Sequence, residues 1–333
     1  MNHDSFSRWT VTLSVCACGL VALANVLIDP YGVLREGAAR PGPAHNMRAH
    51  HMRQILSMPV KPKSLLLGNS VMGLTDPLAL PGVGYNASFF MATVRDLHVF
   101  MELLESNDAL PSELVVGLDP FLFSTGRDTS ELDAKLTLDE VKHKATWKGS
   151  MEYRFPVTQR SSQWDSLRWH ADALYGAGLY HLFSTALDRL GKTPAIDYTA
   201  QGNYLLPLAA RAMQMNPEQH HGKLPRLASN PKHRVAVMEA DQLASLAQLH
   251  QWLGKRKIRT TWVLQPTSQW FDRMHEAGQI DRYYAQMTTA LPVTAKVVDA
   301  RRSLSGLSGQ AMHWYDLKHY TPSVSALVLR EAL

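Results

Sequence analysis

A serine in the first quarter of the chain and an Asp-x-x-His motif near its end have the residue types of a nucleophilic catalytic site. Ser70 follows the apolar run Leu65-Leu66-Leu67, and Asp316 precedes His319 by three residues. At this spacing an aspartate can accept the imidazole N–H, so that the other ring nitrogen takes the proton of a serine hydroxyl. The alternative interpretations are a serine that caps a helix and a surface Asp-His pair. Together the two signals predict a catalytic triad of Ser70, His319 and Asp316.

The elements that must position these residues alternate between apolar strands and amphipathic helices. Strands are predicted over residues 65–67, 114–118, 260–264 and 297–298, and helices over residues 96–104, 235–253 and 323–333. This alternation predicts an α/β fold with a flavodoxin-like parallel sheet and helices on both faces. Residues 126–232 interrupt the pattern and are interpreted as a helical insertion over the catalytic edge. Ser70 would lie at the carboxyl end of a strand, where open parallel sheets bind ligands.

The N-terminal segment is apolar and uncharged from residue 9 to residue 28. About 20 such residues are long enough for a helix to cross a bilayer. A signal peptide cleaved after Ala22-Leu23-Ala24 and a buried helix are the alternatives. We predict an uncleaved membrane anchor over residues 1–30 and an α/β domain over residues 31–333. By the positive-inside rule, the arginines that follow the segment favour an orientation with the domain on the cytoplasmic side.

Composition and charge exclude several classes of protein. A charged fraction of 19% and 8 tryptophans argue against a disordered chain. The net charge of +5 comes from scattered basic residues, and no nucleic-acid motif is present, so we expect no nucleic-acid partner. The only cysteines, Cys16 and Cys18, lie in the apolar segment, which excludes a disulfide framework elsewhere. We expect no metal ion and no cofactor, because the adjacent histidine pairs His50-His51 and His220-His221 need not converge and have no carboxylate at metal-ligand spacing.

The order of the motifs resembles the SGNH (GDSL-like) hydrolase superfamily, which has a serine after its first strand and an Asp-x-x-His near its C-terminus. Gly68-Asn69-Ser70 resembles the first block, with Asn69 where the common form has aspartate. The apolar segment followed by Asp29-Pro30-Tyr31-Gly32 is similar to membrane-anchored bacterial members related to alginate O-acetylation proteins and to D-alanyl transfer proteins of teichoic acids. The resemblance implies an SGNH-like domain in the periplasm, held by a single-pass helix in the inner membrane.

The resemblance also assigns residues to an oxyanion or substrate site. Gly68 and Asn69 directly precede Ser70, and the backbone N–H of Ser70 itself is a candidate donor to the oxyanion. Asn86 and Ser88 lie where the second block supplies a donor, although a turn closed by the asparagine side chain is the alternative.

Asp119 stands where the third block has an asparagine that donates to the oxyanion. An ionised aspartate only accepts hydrogen bonds, so this position departs from the pattern. Binding of a sugar hydroxyl, holding of a loop, and a plain residue at a strand end all remain open for Asp119.

These features predict a serine-dependent O-acyltransferase or esterase that acts on acyl groups, chiefly acetyl, of a cell-envelope or exported polysaccharide. The expected partners are the polysaccharide or another acylated substrate and a membrane acyl-transfer protein. The alternative is a non-catalytic binding or scaffold subunit of a polysaccharide modification or export system, which the Asp119 departure favours. A secreted lipase is a third option, but nothing in the sequence selects a long acyl chain.

Overall fold

The computed structural model describes residues 3–28, 51–52, 54–56, 58–89, 92–124, 197–198, 204–205, 217–229, 235 and 237–333. The chain divides into two compact units. One comprises Met1–His45 with His143–Asp197, and the other comprises Asn46–Lys142 with Tyr198–Leu333. The second unit carries the sheet and every candidate site residue.

The N-terminal segment of the first unit is helical, and this helix, α1, extends over His3–Ile28. Within the part of the chain that the structure describes, no helix has both the length and the apolar character needed to cross a membrane. The membrane anchor over residues 1–30 is therefore unsupported and stays a prediction.

The second unit is built on a parallel sheet. The described strands are β1 Ser64–Leu67, β2 Gly84–Asn86, β3 Glu113–Leu118, β4 Asp197–Tyr198, β5 Tyr204–Leu205, β6 Arg259–Leu264 and β7 Lys296–Asp299. Five of them form one sheet in the order β2-β1-β3-β6-β7, with every neighbouring pair parallel. This is the strand order of doubly wound, flavodoxin-like sheets. The predicted α/β class is confirmed.

The register of the sheet aligns the carboxyl ends of its central strands. Leu67 of β1 is paired with Val116 of β3, and Leu118 of β3 is paired with Leu264 of β6. All four residues of β1 are buried, as expected for a strand covered on both faces. The residues that directly follow β1, β3 and β6 therefore meet at one edge of the sheet.

Helices cover both faces of this sheet. The described helices after α1 are α2 Val94–Ser106, α3 Pro217–Ala228, α4 Ala240–Lys255, α5 Gln269–Asp272, α6 Gln279–Thr289, α7 Ala300–Ser303 and α8 Pro322–Ala332. Because connections between parallel strands are right-handed, α2, α4 and α6 lie on the same face of the sheet. On that face α4 contacts both α2 and α6. The connection from β1 to β2 runs the other way across the sheet and contains a short turn over Met72–Leu74, which α8 contacts on the opposite face.

Two predictions about these elements need correction. The helix expected over residues 235–253 begins at Ala240, because the backbone N–H of Val235 is bonded to His275 and that of Glu239 to the carbonyl of Phe123. The short edge strand β2 was not predicted, since Gly84–Asn86 is only three residues long.

The predicted insertion over residues 126–232 lies mostly outside the described residues. Its described parts are β4 and β5, which pair with each other, and α3. Helix α3 contacts α5 and the turn over Ala311–His313, which precedes the Asp-x-x-His motif.

Candidate active site

The three predicted catalytic side chains lie in one hydrogen-bonded line. The Oγ atom of Ser70 is 2.8 Å from Nε2 of His319, and Nδ1 of His319 is 2.7 Å from Oδ2 of Asp316. Ser70 and His319 are buried, at 4% and 7% exposure, whereas a quarter of the Asp316 side chain (24%) reaches solvent. An ionised carboxylate can only accept, so Nδ1 carries the hydrogen and Nε2 of the neutral ring accepts from Ser70.

The loop that carries Asp316 and His319 is fixed from both sides. Trp314 and Tyr320 form an antiparallel bridge that closes the loop at its base. At the tip, the hydroxyl of Ser268 donates to the carbonyl oxygen of Leu317 at 2.6 Å. Ser268 also caps the short helix α5, so the loop is tied to the segment that follows β6.

The pKa of Asp316 lies well below its ordinary value. Burial alone would raise this pKa, but the nearby His319 imidazole, its hydrogen bond and two backbone hydrogen bonds together lower it by more. The backbone N–H groups of Lys318 and His319 both donate to Oδ1 at 2.9 Å and lower it further. Asp316 is therefore ionised at neutral pH and is oriented by three donors.

The turn that presents Ser70 is shaped by the residue before it. Oδ1 of Asn69 accepts from the backbone N–H of Val71 at 3.0 Å, and its carbonyl oxygen accepts from Gly73 at 3.1 Å. Between them, the backbone N–H of Ser70 donates to no described residue. That N–H is thus available to an oxyanion that forms on an acyl group attacked by Ser70.

Asn86 supports the same turn from β2. Its Nδ2 donates to the carbonyl oxygens of Met72 at 3.0 Å and Thr75 at 2.7 Å, and its Oδ1 accepts from the backbone N–H of Ser88. Both amide hydrogens are therefore used within the fold, and the assignment of Asn86 to an oxyanion or substrate site stays a prediction. The Asn-x-Ser segment is closed by the asparagine side chain, which was the alternative left open above.

Ser88 is fully buried, and its hydroxyl has no hydrogen-bond partner among the described residues. Its backbone N–H is occupied by Asn86, so it cannot serve as an oxyanion donor. Among the described residues, no hydrogen bond joins Ser88 to Ser70 or His319, and its assignment to the site stays a prediction.

Asp119, directly after β3, lies at the centre of a buried polar cluster. Its Oδ1 accepts from the backbone N–H of Phe121 at 2.8 Å, and its Oδ2 accepts from Nε2 of Gln265 at 3.3 Å. The nearby side chain of Asn69 acts to lower the pKa of Asp119. Gln265 is held in turn by the hydroxyl of Tyr320, which donates to its Oε1 at 2.9 Å. We call Asn69, Asp119, Gln265 and Tyr320 the polar cluster.

The charge of Asp119 is costly to bury and is only partly offset. Burial raises the pKa of Asp119, whereas the Lys318 ammonium, the hydrogen bond from Phe121, the nearby Asn69 side chain and His319 together lower it by less. Lys318 lies over the ring of Phe121, with Nζ 3.6 Å from its centre. In its ionised form Asp119 only accepts hydrogen bonds and cannot replace the donor that the third block of the resemblance implies.

Two glycines allow the serine turn to lie close to β3. A Cβ at Gly68 would come within 3.0 Å of Cβ of Met72 and 3.1 Å of the carbonyl oxygen of Gly117. A Cβ at Gly117 would come within 2.7 Å of Nε2 of Gln265. Gly68 therefore contributes close backbone approach, and its assignment to the oxyanion or substrate site stays a prediction.

The sequence reasoning missed Gln265, Tyr320 and Ser268. Gln265 directly follows β6 at the carboxyl edge of the sheet, in the same position relative to its strand as Asp119 relative to β3. That placement was a signal that could have identified it. Ser268 and Tyr320 gave no comparable signal, because their roles depend on which loop each one contacts.

In the part of the chain that the structure describes, no group of three or more His, Cys, Asp or Glu side chains could hold a metal ion. Comparison of the chain with known protein families, with curated proteins and with solved structures finds no match.

Proposed function

We propose that this protein is a serine-dependent acyltransferase or esterase of SGNH type, with Ser70 as nucleophile. The observation that carries the proposal is the continuous hydrogen-bonded line from Ser70 through His319 to Asp316. Two of these residues are separated by 249 positions in the sequence, so their contact is a property of the fold. An isolated Asp-His pair on the surface would not be expected to contact a buried serine hydroxyl.

The chemistry would proceed in two proton-balanced steps. Nε2 of His319 takes the hydroxyl proton as Oγ of Ser70 bonds to the acyl carbonyl carbon, and the backbone N–H of Ser70 donates to the oxygen that becomes negative. His319 then returns the proton to the departing oxygen, which leaves an acyl-Ser70 ester. In the second step a hydroxyl group gives its proton to His319 as its oxygen bonds to the ester carbon; His319 then gives that proton to Oγ of Ser70 as the ester C–O bond breaks, which restores the free serine.

The identity of that hydroxyl separates an esterase from a transferase. Water gives hydrolysis, and a sugar hydroxyl gives an O-acylated polysaccharide. We propose a cell-envelope or exported polysaccharide as the substrate, with a membrane acyl-transfer protein as donor partner. Both proposals, and the periplasmic location, are supported by the resemblance of the N-terminal segment and the motif order to membrane-anchored SGNH proteins.

The test of the nucleophile is labelling with a fluorophosphonate, followed by mass spectrometry of the peptides. We expect an adduct on Ser70, loss of labelling in Ser70→Ala, and unchanged labelling in the matched control Ser106→Ala, whose serine is exposed at the end of α2. An adduct on another residue, or equal hydrolysis of p-nitrophenyl acetate by wild type and Ser70→Ala, would refute the proposal.

A second assay separates the two reaction types. The protein is incubated with p-nitrophenyl acetate in the presence and absence of an acceptor oligosaccharide, and acetate and acetylated sugar are both quantified. Acetylated sugar that depends on Ser70 identifies a transferase, whereas acetate alone identifies an esterase. Formation of neither product by a labelled enzyme would exclude acetyl as the acyl group.

A further inference from the structure

The loop that carries Asp316 and His319 is shaped by hydrogen bonds within itself. The backbone N–H of Tyr315 donates to the carbonyl oxygen of His319 at 2.8 Å. The backbone N–H groups of Lys318 and His319 both donate to Asp316 at 2.9 Å. Bonds of this kind fix the shape of the loop, but they do not fix its place on the sheet that carries the nucleophile.

Two buried hydrogen bonds join this loop to the segment that directly follows β6. The hydroxyl of Ser268 donates to the carbonyl oxygen of Leu317, two residues before His319, at 2.6 Å. The hydroxyl of Tyr320, the residue after His319, donates to Oε1 of Gln265 at 2.9 Å. Ser268, Gln265 and Tyr320 are each fully buried. We call residues 265–268 the anchor segment, which holds the loop on both sides of its histidine.

The anchor segment is itself fixed to the sheet. The backbone N–H of Gln265 donates to the carbonyl oxygen of Leu118 at 2.9 Å, which continues the pairing of β6 with β3. The carbonyl oxygen of Gln265 accepts from the hydroxyl of Tyr284 at 2.6 Å. At the other end of the segment, Oγ of Ser268 accepts from the backbone N–H of Phe271 and caps α5. The segment therefore extends β6 and gives the loop a rigid support.

We infer that Gln265 and Ser268 are positioning residues, which act through the loop to hold the His319 imidazole against the nucleophile. This inference rests on the proposed function, because it assigns the two side chains a part in that reaction. Ser70 follows β1 and the anchor segment follows β6, and both strands pair with β3 in one sheet. The 2.8 Å separation of Nε2 of His319 from Oγ of Ser70 therefore depends on how the loop is attached to the end of β6.

Loss of either bond would free one side of the loop. Without the Ser268 hydroxyl, the carbonyl oxygen of the buried Leu317 loses its donor, and the loop can pivot about the remaining bond from Tyr320. A displacement of about 1 Å at a catalytic group can cost up to about 100-fold in rate. Neither anchoring side chain needs to contact a substrate for this effect, so the loss should appear in kcat.

Removal of the two hydroxyl groups, singly and together, tests the inference. The variants are Ser268→Ala, Tyr320→Phe and the double variant. Ser268→Thr retains a hydroxyl and can still cap the helix. Ser245→Ala is the matched control, because that serine also donates to a backbone carbonyl, of Asp241 at 2.8 Å, but lies in α4. The readouts are kcat and KM for p-nitrophenyl acetate, the rate of fluorophosphonate labelling, Tm, and hydrogen exchange of the loop amides over residues 314–320.

We expect each single variant to lose about tenfold in kcat and in labelling rate, with KM within about twofold of wild type. The double variant should lose about 100-fold or more, since neither side of the loop is then held. Ser268→Thr and the control Ser245→Ala should both stay within about threefold of wild type. Exchange of the loop amides should accelerate in each single variant and most in the double variant, independently of activity.

Single variants with a kcat within twofold of wild type would overturn the inference, and so would a rise in KM at unchanged kcat. Losses that match the fraction unfolded from Tm would also overturn it, as would a Ser268→Thr variant no more active than Ser268→Ala. An inactive wild type would refute the proposed function alone, because exchange of the loop amides would still decide whether the anchor segment holds the loop. Unchanged loop exchange in the double variant would refute the positioning role.

Discussion

The substitution Asp316→Asn tests whether the carboxylate sets the tautomer of His319. In the wild type, Oδ1 of Asp316 accepts from two backbone N–H groups at 2.9 Å, and Oδ2 faces Nδ1 of His319 at 2.7 Å. An asparagine would keep its oxygen against the two backbone donors, because the reverse orientation would set its NH₂ group against both. Its NH₂ group would then face Nδ1 of His319.

The magnitude follows from these bonds. Reversing the asparagine would sacrifice two hydrogen bonds, at about 1 kcal/mol each or more, so the orientation described above predominates. Nδ1 must then accept, and the ring hydrogen moves to Nε2, where it points at Oγ of Ser70. His319 can then no longer accept the proton of Ser70, and the negative charge of Asp316 no longer stabilises a protonated His319 ring. We expect kcat/KM to fall by about 10³- to 10⁴-fold, or roughly 4–5.5 kcal/mol of transition-state stabilisation.

The assay is steady-state hydrolysis of p-nitrophenyl acetate together with the rate of fluorophosphonate labelling. Asp108→Asn is the matched control, since Asp108 is exposed and has a left-handed backbone (φ 51°) that asparagine tolerates. A kcat/KM for Asp316→Asn within tenfold of wild type, while Ser70→Ala is inactive, would refute the tautomer argument. A large loss in Asp108→Asn would show that the assay reports general damage.

Three further predictions concern stability and packing around the site. Because the pKa of Asp316 is lowered on folding, its ionised carboxylate contributes stability that is fully present at neutral pH and declines progressively as the pH falls below about 4. The Tm advantage of wild type over Asp316→Asn should therefore shrink between pH 7 and pH 3, and a constant difference would contradict this. Gly117→Ala should reduce activity and Tm, because its Cβ would come within 2.7 Å of Nε2 of Gln265. Gly254→Ala in α4 would place its Cβ in open space and should raise the free energy of unfolding by about 0.5–1 kcal/mol. Equal effects of the two variants would refute the packing argument. Arg256 donates two hydrogen bonds of 2.7 Å to the carboxylate of Glu105, a two-point contact that lysine cannot make. Arg256→Lys should therefore lower the free energy of unfolding, measured in urea, by about 1 kcal/mol. No change would show that this ion pair adds nothing to stability.

The central sheet was predictable because its strands are apolar runs between turn-forming residues. The predicted ends of β3, β6, β7 and α8 agree with the structure to within one residue. Edge strand β2 was missed, since a three-residue strand has too short a pattern to distinguish from a turn. The start of α4 was misplaced because apolar residues before Ala240 fit a helix but are drawn into contacts with other segments.

The sequence by itself determined which residue types could do the chemistry. Ser70 after a strand and His319 three residues after Asp316 are local patterns, and local patterns suffice for a serine turn and for an Asp-His contact. The alternation of strands and helices was likewise sufficient for the α/β class.

Only the tertiary structure decided how the remaining polar residues divide between catalysis and support. Asn86 looked like a donor to the oxyanion, but its amide is bonded to the loop after Ser70. Asp119 departs from the pattern of the resemblance, but its carboxyl group accepts hydrogen bonds from Phe121 and from Gln265 across the end of the sheet. A side chain has few donors and acceptors, and which of them remain for a substrate depends on partners that the fold brings from distant parts of the chain.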